Sequence, residues 1–550
     1  MPVTLLPMHI SAQLRGVSVS LRRNIDPIHS ALPAPRTLPW RVRLLNLRAG
    51  AFLLPFTLAP LAHAQVATAG IAPHRYLVVY RNSTIPGDAE ARARAAGATL
   101  LQRNDHFGIA AIQTPITEDD AVTLRRLAAQ PNVDYVLHDR IVTAHHLQVK
   151  SIVPASFTVV IGTKPPAPPP YDTFYTTSPQ GWAVQQVGGY GNNVPGGPAH
   201  GPWDTTLGKG VRIAIVDSGV DATHPDLAPN LALNLSEIDQ VAYPSPCDDG
   251  TPQDQQGHGT WTASLAAAAL GPGTGQVIGV APAATLLNIK VLQRMPDTSV
   301  SGTVAQQCAN GQASGLFSWV MQGIEDAITN RADVISLSIG ALADLTTGEG
   351  AGLKAAFDRI TYAATQANAV LVASAGNDGR DLSNPRYIEL PAQSRGVLAL
   401  VASTNPACAE RFTTGASCTP GTSTLAYYSN YGSPLNALSA PGGSYPIGAD
   451  LASSGWVRGA CTSGKPSTLD GPPSDATHSM GCFDQGHIAY VQAIGTSASA
   501  PLAAGVAALL RAAHPTWDAA TIVAAMRSSA VSSPTLPYPQ VNAAAALALP

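Results

Sequence analysis

Charge is scarce in this chain. Asp, Glu, Lys and Arg make up 12% of its 550 residues, roughly half of what globular proteins usually carry, and they balance to a net charge of -3. Binding to nucleic acid or to an anionic membrane needs concentrated positive charge, so neither class of partner has an electrostatic case here. Cysteine is also sparse, with six in all. No two of them form a C-x-x-C pair, which argues against a zinc ribbon or a thioredoxin-like redox centre. The apolar run from Ala49 to Leu61 is interrupted by Pro55 and Pro60 and falls short of the ~20 residues that a permanent bilayer span requires. Glycine and proline are plentiful, at 49 and 46, and they mark a chain rich in loops.

Against that background three short segments stand out. Asp217 ends the apolar run Val211-Arg212-Ile213-Ala214-Ile215-Val216, at the mouth of an expected buried strand. His258 lies in Gly257-His258-Gly259-Thr260, and Ser497 in Gly495-Thr496-Ser497-Ala498-Ser499-Ala500-Pro501, each at the head of an Ala-rich helical stretch. A serine hydroxyl is a poor nucleophile until a neutral imidazole takes its proton, and a carboxylate must orient that imidazole. Taken singly, each residue has an ordinary reading: Asp and Ser near helix starts act as caps, and a His between glycines sits where the backbone approaches closely. The order Asp, His, Ser is one of the three chain orders in which this hydrolytic geometry recurs. An esterase elbow would need Gly-x-Ser-x-Gly, and Ser499 occupies its final position here.

These segments resemble those of the subtilisin-like serine peptidases, the subtilase family. Asp217-Ser218-Gly219-Val220 with His224-Pro225-Asp226-Leu227 is similar to the family's aspartate block, Gly257-His258-Gly259-Thr260 to its histidine block, and Gly495-Thr496-Ser497 with Pro501 and Ala504-Gly505 to its serine block. A fourth block, Ala373-Ser374-Ala375-Gly376-Asn377, resembles the segment carrying the oxyanion-hole Asn. The likeness runs from about residue 175 to the C-terminus. It implies a catalytic triad of Asp217, His258 and Ser497, with Asn377 as oxyanion donor. It further implies that Ser338, Ile339 and Gly340 pair with the substrate backbone, while Ala373, Ser374, Ala375 and Gly376 form the facing wall of the first specificity pocket. Broad cleavage of protein substrates is then expected, the alternatives being a dedicated processing protease for one partner or an inactive binding protein on the same scaffold. Asp226 falls where many members place a calcium ligand, yet Leu270 to Gln276 offers no clear set of oxygen side chains to complete a site. No cofactor is required for the chemistry. Trp261, Ser264 and Leu502 depart from common family residues, as does Ala498, where many members carry Met.

The resemblance and the local patterns divide the chain into four parts. Residues 1–64 read as an N-terminal extension plus a signal region, with Arg41, Arg43 and Arg48 before the apolar run and Ala62-His63-Ala64 after it. Residues 65–147 form an α+β unit with strands at 76–80, 109–112 and 133–142 and helices at 88–98 and 118–129. This unit resembles the family's inhibitory prodomain. Residues 148–181, containing Pro165 to Pro170, are a linker and mature N-terminus. Residues 182–550 are the peptidase domain, α/β with a parallel sheet flanked by helices. Its strands are expected at 211–216, 285–291, 333–339, 369–375 and 397–402, its helices at 258–269 and 497–513, and insertions near 240–254, 293–314, 403–425 and 443–490. Six thiols allow fifteen pairings; proximity favours Cys408 with Cys418 and Cys461 with Cys482, leaving Cys247 with Cys308. A secreted monomer, extracellular or periplasmic, with disulfides is the expectation.

Overall fold

The structure is a computed structural model describing residues 70–116, 120–144, 172–176, 181–192, 200–271, 276–404, 423–433, 435–443, 457–464, 482–485 and 488–550. The expectations for residues 1–64, for most of the linker and for Cys408 with Cys418 lie outside these residues.

Apolar runs that do not alternate become strands covered on both faces. Arg212–Asp217 pairs in parallel with Thr285–Lys290 on one side and Val334–Leu337 on the other. Leu231–Ser236 extends the sheet beyond the first; Val370–Ser374, Val397–Thr404 and Ala437–Pro441 extend it beyond the second, all in parallel. Ile213 and Ile215 enter the cluster shared with helices His258–Ala267 and Thr496–Ala513. Ala214 and Val216 enter the opposite cluster, shared with helices Phe317–Thr329 and Gly348–Gln366. Full burial of one such Val or Ile contributes about 1.5–3 kcal/mol. The Ala-rich composition allows close helix contact: a Cβ at Gly505 would stand 2.5 Å from Val280 Cβ and 3.0 Å from the Ala266 carbonyl oxygen.

Residues 70–144 follow the same logic. Strand Ile71–Tyr80 lies between Ile109–Gln113 and Val133–Ala144, all antiparallel, and Thr99–Asn104 adds an outer strand that its mixed composition had not signalled. Tyr76, Val78 and Tyr80 pack on this unit's own helices, Ala89–Ala96 and Asp120–Ala128; Leu77 and Val79 face the helices of the peptidase region. That double burial accounts for the unbroken apolar run.

Two expectations are corrected here. The strand expected at 333–339 stops at Leu337; beyond Ser338 the chain leaves the parallel sheet, and Ile339–Asp344 joins a second, antiparallel one. Residues 293–314 are not simply an inserted loop, because Gln293–Met295 and Gln312–Leu316 pair with each other and the latter pairs with Val133–Ala144. The late insertion is partly ordered too, as an antiparallel sheet of Val457–Ala460, Ile488–Ala493 and Cys482–Gln485. Disulfides join Cys247 to Cys308 and Cys461 to Cys482, with Cα separations of 5.4 and 6.0 Å. No helix among the described residues is long and apolar enough to cross a membrane.

Candidate active site

Asp217 is the last residue of its strand, at the carboxyl end of the parallel sheet, where open α/β folds place their sites. His258 is the first residue of its helix. Gly257, with φ of 103°, turns the chain into that helix, and Gly259 permits close approach, since a Cβ there would stand 2.1 Å from the Gly219 carbonyl oxygen. The two side chains meet with His258 Nδ1 2.7 Å from Asp217 Oδ1, at 3% and 1% exposure. Asp217 also accepts from the Ser218 amide at 2.7 Å and from Thr262 Oγ1 at 3.2 Å. A carboxylate so held keeps the imidazole proton on Nδ1 and leaves Nε2 as the basic nitrogen.

Asp254 organises the approach to this histidine. Its Oδ1 accepts from Ser218 Oγ and the Gln256 and Gly257 amides, and its Oδ2 from the Thr260 amide and hydroxyl. Burial nevertheless pushes its carboxyl above the ordinary value, against the pull of those donors. Sequence reasoning missed Asp254. Its place three residues before Gly257 is the Asx-turn signal that would have found it.

Ser497 is fully buried in the first turn of its helix. Pro501, four residues on, has no N–H to give the Ser497 carbonyl; that oxygen accepts from Ser338 Oγ instead, at 2.9 Å. The proline thereby ties the serine's backbone to the turn that starts the Ile339–Asp344 strand. Asn377 follows the strand Val370–Ser374, and its Oδ1 accepts both the Thr496 amide at 2.9 Å and the Thr496 hydroxyl at 2.8 Å. With the amide oxygen committed there, Nδ2 is the end that can donate elsewhere. Asn377, Thr496, Ser497 and Ser338 are thus brought together, and His258 with Asp217.

Of the expected wall, Ala373 and Ala375 point into the core, and Gly376 is buried against Asn430, whose Nδ2 would stand 2.2 Å from a Cβ there. Ile339 and Gly340 pair with Ala144 and Thr143 of the N-terminal unit. The opposite edge, Gln312–Leu316, was missed: Leu316, Gly315 and Ser314 pair with Ile141, Val142 and Thr143. Its mixture of Gln, Ala, Ser and Gly carries no strand pattern. The departure at Trp261 has a structural part, with the indole edge-on to the His258 ring at 6.0 Å and its N–H donating to the Val457 carbonyl. Asp226 is buried apart from these groups, its Oδ2 accepting the Gln276 and Val277 amides. No group of three or more His, Cys, Asp or Glu that could hold a metal ion occurs among the described residues.

A buried Asp–His pair at the carboxyl edge of a parallel sheet, with a serine at a helix start and an asparagine facing it, defines the serine-hydrolase class of α/β proteins. Within that class the chain belongs to the subtilase family, whose profile matches residues 208–545. It is 34% identical over 195 residues to an intracellular serine protease of Paenibacillus polymyxa, covering 34% of this chain and 49% of that protein. It is 30% identical over 323 residues to the subtilisin of Bacillus pumilus, covering 59% of this chain and 84% of that protein. The chain thus spans about half the length of the Paenibacillus relative. The solved structure of the epidermin leader peptide processing serine protease EpiP from Staphylococcus aureus is similar in fold, with a TM-score of 0.57 at 17% identity, covering 86% of this chain and 97% of that one.

Proposed function

We propose that this chain is a secreted serine endopeptidase made as a self-processing precursor, with Asp217, His258 and Ser497 as its catalytic triad. The observation that carries the reading is the buried 2.7 Å contact between His258 Nδ1 and Asp217 Oδ1, in a subtilase that also holds Asn377 by its amide oxygen. Ser497 Oγ attacks the peptide carbonyl while His258 Nε2 takes the hydroxyl proton, and Asp217 stabilises the imidazolium. Asn377 Nδ2 donates to the oxyanion. The intermediate collapses as His258 returns its proton to the leaving amine, and water repeats the sequence to release the acid and regenerate Ser497. Loss of one such oxyanion donor costs about 10²–10³ in kcat, a magnitude taken from subtilisin itself.

Residues 65–147 act as the inhibitory prodomain. The pairing of Ile141–Ala144 with both Gln312–Leu316 and Ile339–Gly340 supports this reading, because it is the pairing an extended substrate would make. The described disulfides support secretion. Main-chain pairing makes little sequence demand along the strand, which favours broad cleavage.

The test is Ser497→Ala. The purified variant is expected to lose proteolysis and fluorophosphonate labelling, and its precursor to stay uncut where the wild type severs itself between about residues 143 and 155. Full hydrolysis by the variant would end the proposal, and normal maturation on its own would end the self-processing part.

A further inference from the structure

The described part of the late insertion makes its contacts on the histidine helix and on the turn before it. The Trp261 N–H donates to the Val457 carbonyl at 3.2 Å and the Ser264 hydroxyl accepts the Ala460 amide at 3.0 Å, each across 196 positions of chain. Gly459 lies between these bonds, and a Cβ there would stand 2.5 Å from Trp261 Cδ1 and 2.6 Å from Ser264 Oγ. Trp261 and Ser264 are two of the positions where this chain departs from common family residues, so the departures and the insertion meet in one place. The residues that follow reach the turn itself. Thr462 Oγ1 donates to the Asp254 carbonyl at 2.6 Å, and Ser463 gives its amide and hydroxyl to Asp221 Oδ2 at 2.8 and 2.7 Å. Asp254 is the residue whose carboxylate gathers the Gln256, Gly257 and Thr260 amides.

The insertion's disulfide closes on the same turn. A Cβ built at Gly257 would stand 3.0 Å from Cys461 Sγ and 3.7 Å from Cys482 Sγ, and both cysteines are buried. The sulfurs thus fill the side of Gly257 on which any other residue would carry its side chain. Gly259, one residue after His258, closes against the Gly219 carbonyl. The histidine's backbone is therefore held at two points, one in the aspartate block and one at the disulfide. Among the described residues His258 Nε2 has no hydrogen-bond partner, while Nδ1 is bonded to Asp217. The place of the basic nitrogen follows from that one bond, from the Trp261 ring beside it and from the backbone that carries it. Glycine is also the residue whose backbone drifts most readily once a neighbour is removed.

We infer that the clasp made by Val457–Ala460, Thr462 and the Cys461–Cys482 disulfide is a positioning element for His258, one that sets kcat without touching substrate. The edges that pair with Ile141–Ala144 are Gln312–Leu316 and Ile339–Gly340. Opening the clasp leaves those edges in place and lets the imidazole shift. A displacement of about 1 Å in a reacting group costs about 10² in rate. The inference rests on the proposed function, since it concerns the histidine of that triad.

The test compares the self-processed wild type with Cys461→Ala/Cys482→Ala, Thr462→Val and Thr462→Ser on one short peptide, with active sites counted by fluorophosphonate titration. The double variant and Thr462→Val should lose about tenfold to a hundredfold in kcat, keep KM within about twofold, and label more slowly with fluorophosphonate. Thr462→Ser retains the hydroxyl and should stay near the wild type. Removing a disulfide lowers stability in any case, so thermal melts separate support of the fold from placement of the imidazole. A lowered melting temperature with kcat, measured well below the melt, within about twofold of the wild type overturns the inference, as does a loss carried by KM. If the double variant does not fold, the Thr462 pair decides, and Thr462→Val matching Thr462→Ser in kcat overturns it. A wild type that neither labels nor cleaves overturns the hydrolytic reading beneath it.

Discussion

Asp139 offers the sharpest test of how the N-terminal unit is held. It lies on Val133–Ala144, fully buried, and accepts the Ser318 amide at 3.0 Å and the Ser318 hydroxyl at 2.7 Å. Arg75 Nε donates at 3.4 Å to Oδ2, the oxygen that also accepts the Ser318 hydroxyl, with side-chain exposures of 5% and 0% for the pair. Ser318 is the second residue of the helix Phe317–Thr329, whose own N-cap, Leu316, has no side chain able to cap it. A carboxylate from one unit therefore caps a helix of the other, where the helix dipole favours negative charge. Replacing Asp139 with Ala orphans the Ser318 donors and leaves Arg75 buried without its counter-charge. Losing one partner of a buried pair costs about 3–5 kcal/mol, or roughly two to four orders of magnitude in the equilibrium between docked and undocked states. Asp139→Asn retains an acceptor for Ser318 and should lose about 1.5–3 kcal/mol. The assay is amide hydrogen exchange on the full chain carrying Ser497→Ala, so that it stays uncut. Amides of Val133–Ala144 and of the first turn after Leu316 should exchange faster, in the order Ala, Asn, wild type, while the central parallel strands stay protected. Exchange in Asp139→Ala within about 0.5 kcal/mol of the parent would refute the capping argument, and equal loss across the central sheet would refute its confinement to the docking seam.

Further expectations concern pH and oxidation. Burial, then the neighbouring Asp326 carboxylate, pushes Glu237 up to about 8; a raised carboxyl contributes stability below its ordinary range and loses it as pH rises toward that value. Thermal melts from about pH 5 to 9 should therefore fall more steeply for the wild type than for Glu237→Gln, and parallel curves would contradict the assignment. Ala498 is fully buried directly after Ser497. Ala498→Met should introduce peroxide sensitivity that the wild type lacks, read as activity against time with mass spectrometry of the active-site peptide; equal loss in both proteins with the new Met oxidised would reject it.

The parts of the fold most legible in the sequence were those whose burial leaves a compositional mark. Strands apolar on both faces, such as Arg212–Asp217 and Val397–Thr404, and the Ala-rich helices at His258 and Thr496 were read to within a few residues. So were the positions of Asp217, His258, Asn377 and Ser497 at the ends of those elements. Strands of mixed composition were not legible: Thr99–Asn104 is partly exposed, and Gln312–Leu316, though buried, is built of Gln, Ala, Ser, Gly and Leu with no apolar period. Ser338 was named through the family resemblance, but the end of the parallel strand there and the role of its hydroxyl were not legible. The apolar pattern runs straight through it, and only the helix proline at Pro501 explains why its hydroxyl is needed at the Ser497 carbonyl.

The double-edged pairing of Ile141–Ala144 carries a consequence for what such an enzyme can cut. Any polypeptide that takes this place must arrive as one extended strand of about four residues, or about 13 Å of chain, with one edge free at the places of Ile141, Val142 and Thr143 and the other at those of Thr143 and Ala144. A segment tied up in a helix, or already paired in a sheet, must first be pulled free, at about 1–2 kcal/mol per residue in conformational entropy alone. The turnover of a well-folded protein would then follow that protein's own opening fluctuations, not its residue sequence. On the proposed function, such an enzyme would gauge the mechanical firmness of its target, sparing compact neighbours and consuming those that have loosened.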